Sequence, residues 1–113
     1  MPSYQIPVTH SSSDAMSEPE PGLRRQVMSS SRAIMLVRHT ITAGWVGTRH
    51  SHPHQQMVYI IRGLIRFEHP NGDFVACPGD SFLVPGNVPH QAFALEDSEV
   101  LDIFTPARED YAI

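Results

Sequence analysis

Turn signals cut this sequence into short pieces, and that constrains its fold more than any other feature. From the middle of the chain they fall at Ala43-Gly44, Pro53, Gly63, Pro70-Asn71-Gly72, Pro78-Gly79, Pro85-Gly86 and Pro106. Proline lacks an N–H and glycine reaches positive φ cheaply, so both punctuate regular structure. Between the signals lie MVYIIRG, LIRFEH, DFVAC, SFLV, QAFAL and EVLDIF, short runs rich in β-branched and aromatic residues. Upstream, GLRRQVM and AIMLVRHTI read as two further strands separated by SSSR. The Asn71-Gly72 pair predicts a hairpin turn in which both residues tolerate positive φ. No window shows helical periodicity rising above strand periodicity, so no helix longer than a turn or two is expected. Many short strands at this spacing predict an all-β sandwich or barrel.

The chain has 113 residues, enough for one core and too few for two. Residues 1–21 are rich in Ser, Pro and Glu, and are expected to form a flexible segment. Within it SYQIPV alone has strand character and is suited to adding an edge strand to a partner. The remainder, 22–113, is expected to be a single domain. The net charge is −4, and the eight positive charges are all arginines, scattered without a run. Nucleic acid as a partner needs a clustered basic face, so it is not expected. No apolar stretch approaches 18 residues and no secretion signal is visible, which predicts neither a membrane span nor export. A lone cysteine, Cys77, fits a reducing compartment, and the expected location is cytoplasmic. Cys77 itself, at a strand end, is expected to be a small buried residue.

The chemistry concentrates in GWVGTRHSHPHQQMVYIIRG, residues 44–63. His50 and His52 alternate as on a β-strand, so both imidazoles point to one face. Gln56 opens the next apolar run, and His90 follows a Pro-Gly turn in FLVPGNVPH. Two imidazoles and an amide oxygen at one sheet end are suited to a divalent metal, with His90 as a fourth ligand. Those four ligands carry no charge, so the ion would keep its own and favour anionic substrates. His54, beside Pro53, either reaches the mouth of the site or faces water, the second being the simpler reading. His10, His39 and His69 lack such company and are expected to face solvent. Trp45 is core or pocket wall. Near the C-terminus, alternation in EVLDIF puts Asp102 and Phe104 on one face, with Leu101 and Ile103 on the other. A carboxylate facing a barrel interior is costly unless paired or functional.

These residues resemble the cupins. Their first motif runs G, five residues, HxH, three or four residues, E, six residues, G. Gly44, His50, His52, Gln56 and Gly63 match it, with Gln in place of Glu. Their second motif is matched by Gly79, Pro85 and His90, the internal glycine sitting one place early at Gly86, and Ala94 replacing the final Asn. The resemblance implies an antiparallel double-sheet jelly-roll barrel. The segments Gly22-Leu23-Arg24-Arg25, HPHQQ and ALEDSEVLDIFTPARED are similar to the KdgF-like cupins, from about Gly22 to Tyr111. That resemblance implies ring opening of 4,5-unsaturated uronate monosaccharides to linear 5-keto-4-deoxyuronate, in pectin or alginate breakdown. It assigns one divalent ion (Zn, Ni, Fe or Mn) to His50, His52, Gln56 and His90, and catalytic roles to Asp102, Phe104 and Arg108.

In that reading Asp102 moves protons, Arg108 offers a forked pair to a substrate carboxylate, and Phe104 packs against the sugar. The partner is a small anionic sugar-like substrate. A metal-dependent oxygenase or polyketide cyclase, and a non-enzymatic small-molecule-binding cupin, are the alternatives on this scaffold. The outward residues Met57, Tyr59 and Ile61 are too apolar for a wet face and predict a homodimer.

Overall fold

The computed structural model describes residues 3–111. Among them the strands are β1 (Ser17–Glu20), β2 (Leu23–Ser30), β3 (Met35–Ile41), β4 (Gln55–Arg62) and β5 (Ile65–His69), followed by β6 (Gly72–Ala76), β7 (Ser81–Val84), β8 (Gln91–Ala94) and β9 (Ser98–Thr105). Two single-turn 3-10 helices, Ser13–Ala15 and Glu109–Tyr111, complete the regular structure. No helix is long and apolar enough to cross a membrane.

All pairings are antiparallel and form two sheets, one of order β1-β2-β3-β9-β4-β7 and one of order β6-β5-β8. The architecture is the expected jelly-roll barrel. Strict alternation along β3 buries Met35, Val37, His39 and Ile41, and along β9 it buries Ser98, Val100, Asp102 and Phe104. One apolar cluster gathers Leu23, Ile41, Val58, Ile60, Ile65 and Val100 from both sheets. A second, of Met35, Val37 and Phe104, sits toward the other end. Each such side chain contributes about 1.5–3 kcal/mol by leaving water.

Several expectations change. The His50–His52 stretch is no strand: it makes no ladder, and its sheet-like pairings are the isolated bridges of Val46 with Phe93 and His50 with His90. In the β5–β6 hairpin only Gly72 takes positive φ, because Pro70 and Asn71 supply the loop. Cys77 is exposed, not buried. Its backbone closes a turn in which Cys77 N–H donates to Asp80 Oδ2 at 2.7 Å and Asp80 N–H donates to Cys77 O at 2.9 Å. Order also begins inside the 1–21 segment, since Ser17–Glu20 pairs with β2 and Trp45 Nε1–H donates to Glu20 Oε1 at 2.6 Å. Trp45 thereby serves as both core and cavity wall. Earlier in that segment Tyr4, Ile6 and Val8 are exposed.

Gly63 ends β4 at φ +89°, where an added Cβ would meet Ser98 Oγ and lie 2.5 Å from Asp97 O. Gly79 has the same φ with nothing within 4 Å. Gly79→Ala is therefore expected to cost only the left-handed conformation, about 1–2 kcal/mol. Gly63→Ala must also displace backbone and is expected to cost more than about 3 kcal/mol. Denaturant midpoints of the two variants check this, and equal losses would contradict it.

Candidate metal centre

His50 and His90 face each other across a two-way backbone bridge. His50 N–H donates to His90 O at 3.0 Å and His90 N–H to His50 O at 2.8 Å. His52 joins them because the loop after β7 presses on its segment, with Asn87 N–H donating to His52 O at 2.7 Å. That contact explains the displaced motif glycine. A Cβ at Gly86 would lie 2.5 Å from Pro53 O, while Asn87, at the usual glycine position, carries the left-handed φ of 66° that Asn tolerates. The three ring centroids lie 4.5–5.5 Å apart, and the potential ligand atoms all fall within 4.8 Å of one another. His52 and His90 are buried and His50 is exposed, which leaves the cluster open on one side.

Hydrogen bonding decides which nitrogens converge. The Nδ1 atoms of His50, His52 and His90 contact the carbonyl oxygens of Thr48, His54 and Val88 at 2.8, 3.0 and 2.8 Å. A carbonyl only accepts, so each Nδ1 carries the proton and each Nε2 keeps its lone pair. Backbone carbonyls set metal-binding histidines in this way.

A second network reaches the same place from the opposite wall. Arginine only donates, so Arg25 Nε–H, 3.0 Å from His39 Nε2, makes that nitrogen an acceptor. His39 therefore donates from Nδ1 to Asp102 Oδ2 at 2.6 Å. Gln56 Nε2–H donates to Asp102 Oδ1 at 2.8 Å, which turns Gln56 Oε1 toward His52 Nε2, 3.1 Å away. Two lone pairs then face each other with no proton between them. Protonating His52 would fill the gap, but burial and then the charge of Arg108 hold its pKa below the ordinary value. Burial also lowers His90. A divalent ion would satisfy both lone pairs, and His50, His52, His90 and Gln56 fit one in donor type and orientation.

The other expected residues gather on the same cavity, of about 380 Å³, which is lined by Asp102, Phe104 and Arg108 together with His50, Gln56 and His90. Asp102 is 5 % exposed and Phe104 1 %. Phe104 meets the His52 ring edge-on at 5.9 Å. Arg108 donates from Nε and NH2 to the two oxygens of Asp110, at 3.0 and 2.7 Å, so that edge of its fork is taken within the chain. His54 packs beside His52 and Phe104 at 5.4 and 6.4 Å, and its Nδ1 is buried without a partner among the described residues.

His39 corrects the sequence reading: it is 6 % exposed and wedged between Arg25 and Asp102, not facing solvent. Its place on the buried face with Met35, Val37 and Ile41 was the available signal. Arg25 and Tyr111, also missed, line the cavity too.

Residues 37–104 match the Cupin domain family, and the chain belongs to it. Within that class, the structure of KdgF from Halomonas sp. is 36 % identical, with a TM-score of 0.81 over 85 % of this chain and 91 % of that one. An RmlC-like cupin from Shewanella frigidimarina NCIMB 400 is 31 % identical, with a TM-score of 0.83 over 89 % and 93 %. The pectin degradation protein KdgF of Dickeya dadantii (strain 3937) is 29 % identical over 92 residues, 80 % of this chain and 84 % of that protein. The chain is thus a KdgF-like cupin.

Protein purified without a histidine tag is expected to bind one divalent ion per chain. Zn, Ni, Mn or Fe at 100-fold above its dissociation constant should then add about 2.7 kcal/mol of stability. His90→Ala should abolish both effects. Elemental analysis without stoichiometric metal, together with a melting temperature indifferent to all four ions, would contradict the assignment.

Proposed function

We propose that the protein opens the ring of 4,5-unsaturated uronate monosaccharides, giving linear 5-keto-4-deoxyuronate in pectin or alginate breakdown. The observation that carries this reading is Asp102, a buried carboxylate whose two oxygens are held by His39 and Gln56 on the wall of the histidine-lined cavity. The similarity to the pectin degradation protein KdgF supports the substrate class.

The reaction is an isomerisation, so the protein must move protons without net gain or loss. The anomeric hydroxyl loses its proton and the bond from anomeric carbon to ring oxygen breaks. An aldehyde and an enolate result. The proton then returns to the enolate carbon, leaving the ketone. One carboxylate that takes a proton and gives it back meets this need. Each oxygen of Asp102 accepts one hydrogen bond and retains a second lone pair. His39 and Gln56 thus aim the carboxylate without exhausting it. A divalent ion on neutral ligands, when bound, supplies Lewis-acid polarisation of the substrate's oxygens. Arg108, tied to Asp110, presents its remaining NH1 edge to the uronate, and Phe104 gives the sugar an apolar wall that keeps water out.

Lyase-generated unsaturated uronates should lose their ring double-bond absorbance when the protein is added. Asp102→Asn should slow this by about 10²–10⁴-fold while leaving metal content unchanged. Full activity in a folded, metal-loaded Asp102→Asn protein would rule the mechanism out.

The homodimer belongs to the same reading. Met57, Tyr59, Ile61 and Leu83 are 40–49 % exposed on β4 and its neighbour β7, and Met57 stands opposite Leu83 in register. A second copy of the chain would cover this face. Light scattering at micromolar concentration should give twice the chain mass, and a monomer mass would contradict it.

A further inference from the structure

We infer that Arg25 is the residue that grips the carboxylate of the substrate. The inference takes from the reading above only that the ligand is an organic acid. Arg108, the other arginine of the cavity, already spends Nε and NH2 on the two oxygens of Asp110. That two-point geometry is the one a ligand carboxylate would need. Arg25 is differently placed. Its Nε is fixed on His39 at 3.0 Å, and its guanidinium lies over the Tyr111 ring at 3.6 Å. Among the described residues neither terminal nitrogen makes a hydrogen bond and no carboxylate pairs with it. Arg25 lines the same cavity as Asp102, His50, Gln56 and His90.

The side chain is therefore held at one edge and one face, with its outer fork left for a ligand. Preorganisation of this kind spares the rotamer entropy that a free arginine would lose on binding. Lysine cannot reproduce it, because one ammonium cannot hold His39 and present a planar fork together. His39 then has two partners with distinct tasks. It steadies the group that binds the acid and the carboxylate that moves the proton. A purely structural Arg25, tying β2 to β3 and Tyr111, would make a different prediction for a neutral ligand.

The test compares the unsaturated uronate with its methyl ester in wild-type and Arg25→Met protein, both metal-loaded and with melting temperatures recorded. Losing a hydrogen-bonded charge partner should raise KM for the acid about 10- to 100-fold. Because Arg25 also fixes His39, kcat should fall for both compounds alike, and the loss in kcat/KM should be about 10- to 100-fold larger for the acid than for the ester. Arg25→Lys should fall between wild type and Arg25→Met for the acid. An unchanged KM in folded Arg25→Met, or equal losses for acid and ester, would overturn the inference.

If wild type turns over neither compound, the ring-opening reading fails on its own, and calorimetric titration with galacturonate decides the role of Arg25. Affinity at least tenfold weaker in Arg25→Met than in wild type would support it. Equal affinity, or no binding by wild type, would overturn it.

Discussion

A directed line of hydrogen bonds runs across four strands of the large sheet, and the site depends on it. It starts at Arg25 on β2, passes through His39 on β3 and Asp102 on β9, and ends at Gln56 on β4. Every direction follows from the first, because arginine has no acceptor and carboxylate no proton. The line has one consequence at its far end: the amide oxygen of Gln56 is turned toward the lone pair of His52. Removing any member would free its neighbour to rotate or change tautomer. A buried network of this kind is costly when partly satisfied and rigid when complete.

The barrel makes the line possible by dividing its interior. Leu23, Ile41, Val58, Ile60, Ile65 and Val100 form an apolar cluster that joins the two sheets. Polar groups occupy the inward positions beyond it, where β3 and β9 continue their alternation with His39 and Asp102 in place of aliphatic residues. Burial there does two things. It strengthens the ordered hydrogen bonds, and it disfavours protonated His52 and His90, keeping their Nε2 atoms available as ligands.

The sequence displayed the strands, turns and histidine cluster because those signals are local. Turn residues recur at short intervals, and His50, His52 and Gln56 lie within seven positions of one another. Asp102 was legible through alternation in an apolar run. His39 lay on an equally clear alternating face, yet its partner is 63 residues away, so its sequence neighbourhood looked empty. The free fork of Arg25 and the occupied one of Arg108 were likewise out of reach, since both depend on side chains meeting in the folded state. The burial expected of Cys77 rested on the general preference of its type, and in the fold it sits exposed in the turn closed by Asp80. The expected strand through His50 and His52 failed because alternation of two residues does not require ladder pairing. An isolated bridge to His90 and the Asn87 contact to His52 O hold the segment in place of a ladder.

The positions of the ring protons set the direction of the network, and long-range proton–nitrogen correlation spectra of histidine-labelled, metal-free protein report them directly. The neutral rings of His39, His50, His52 and His90 are each predicted to be the Nδ1–H tautomer. Added divalent metal should then shift Nε2 of His50, His52 and His90 and leave Nε2 of His39 unmoved, because that atom faces Arg25. A proton on Nε2 of His52, or a metal-induced shift at His39 Nε2 in place of the other three, would contradict the directed network.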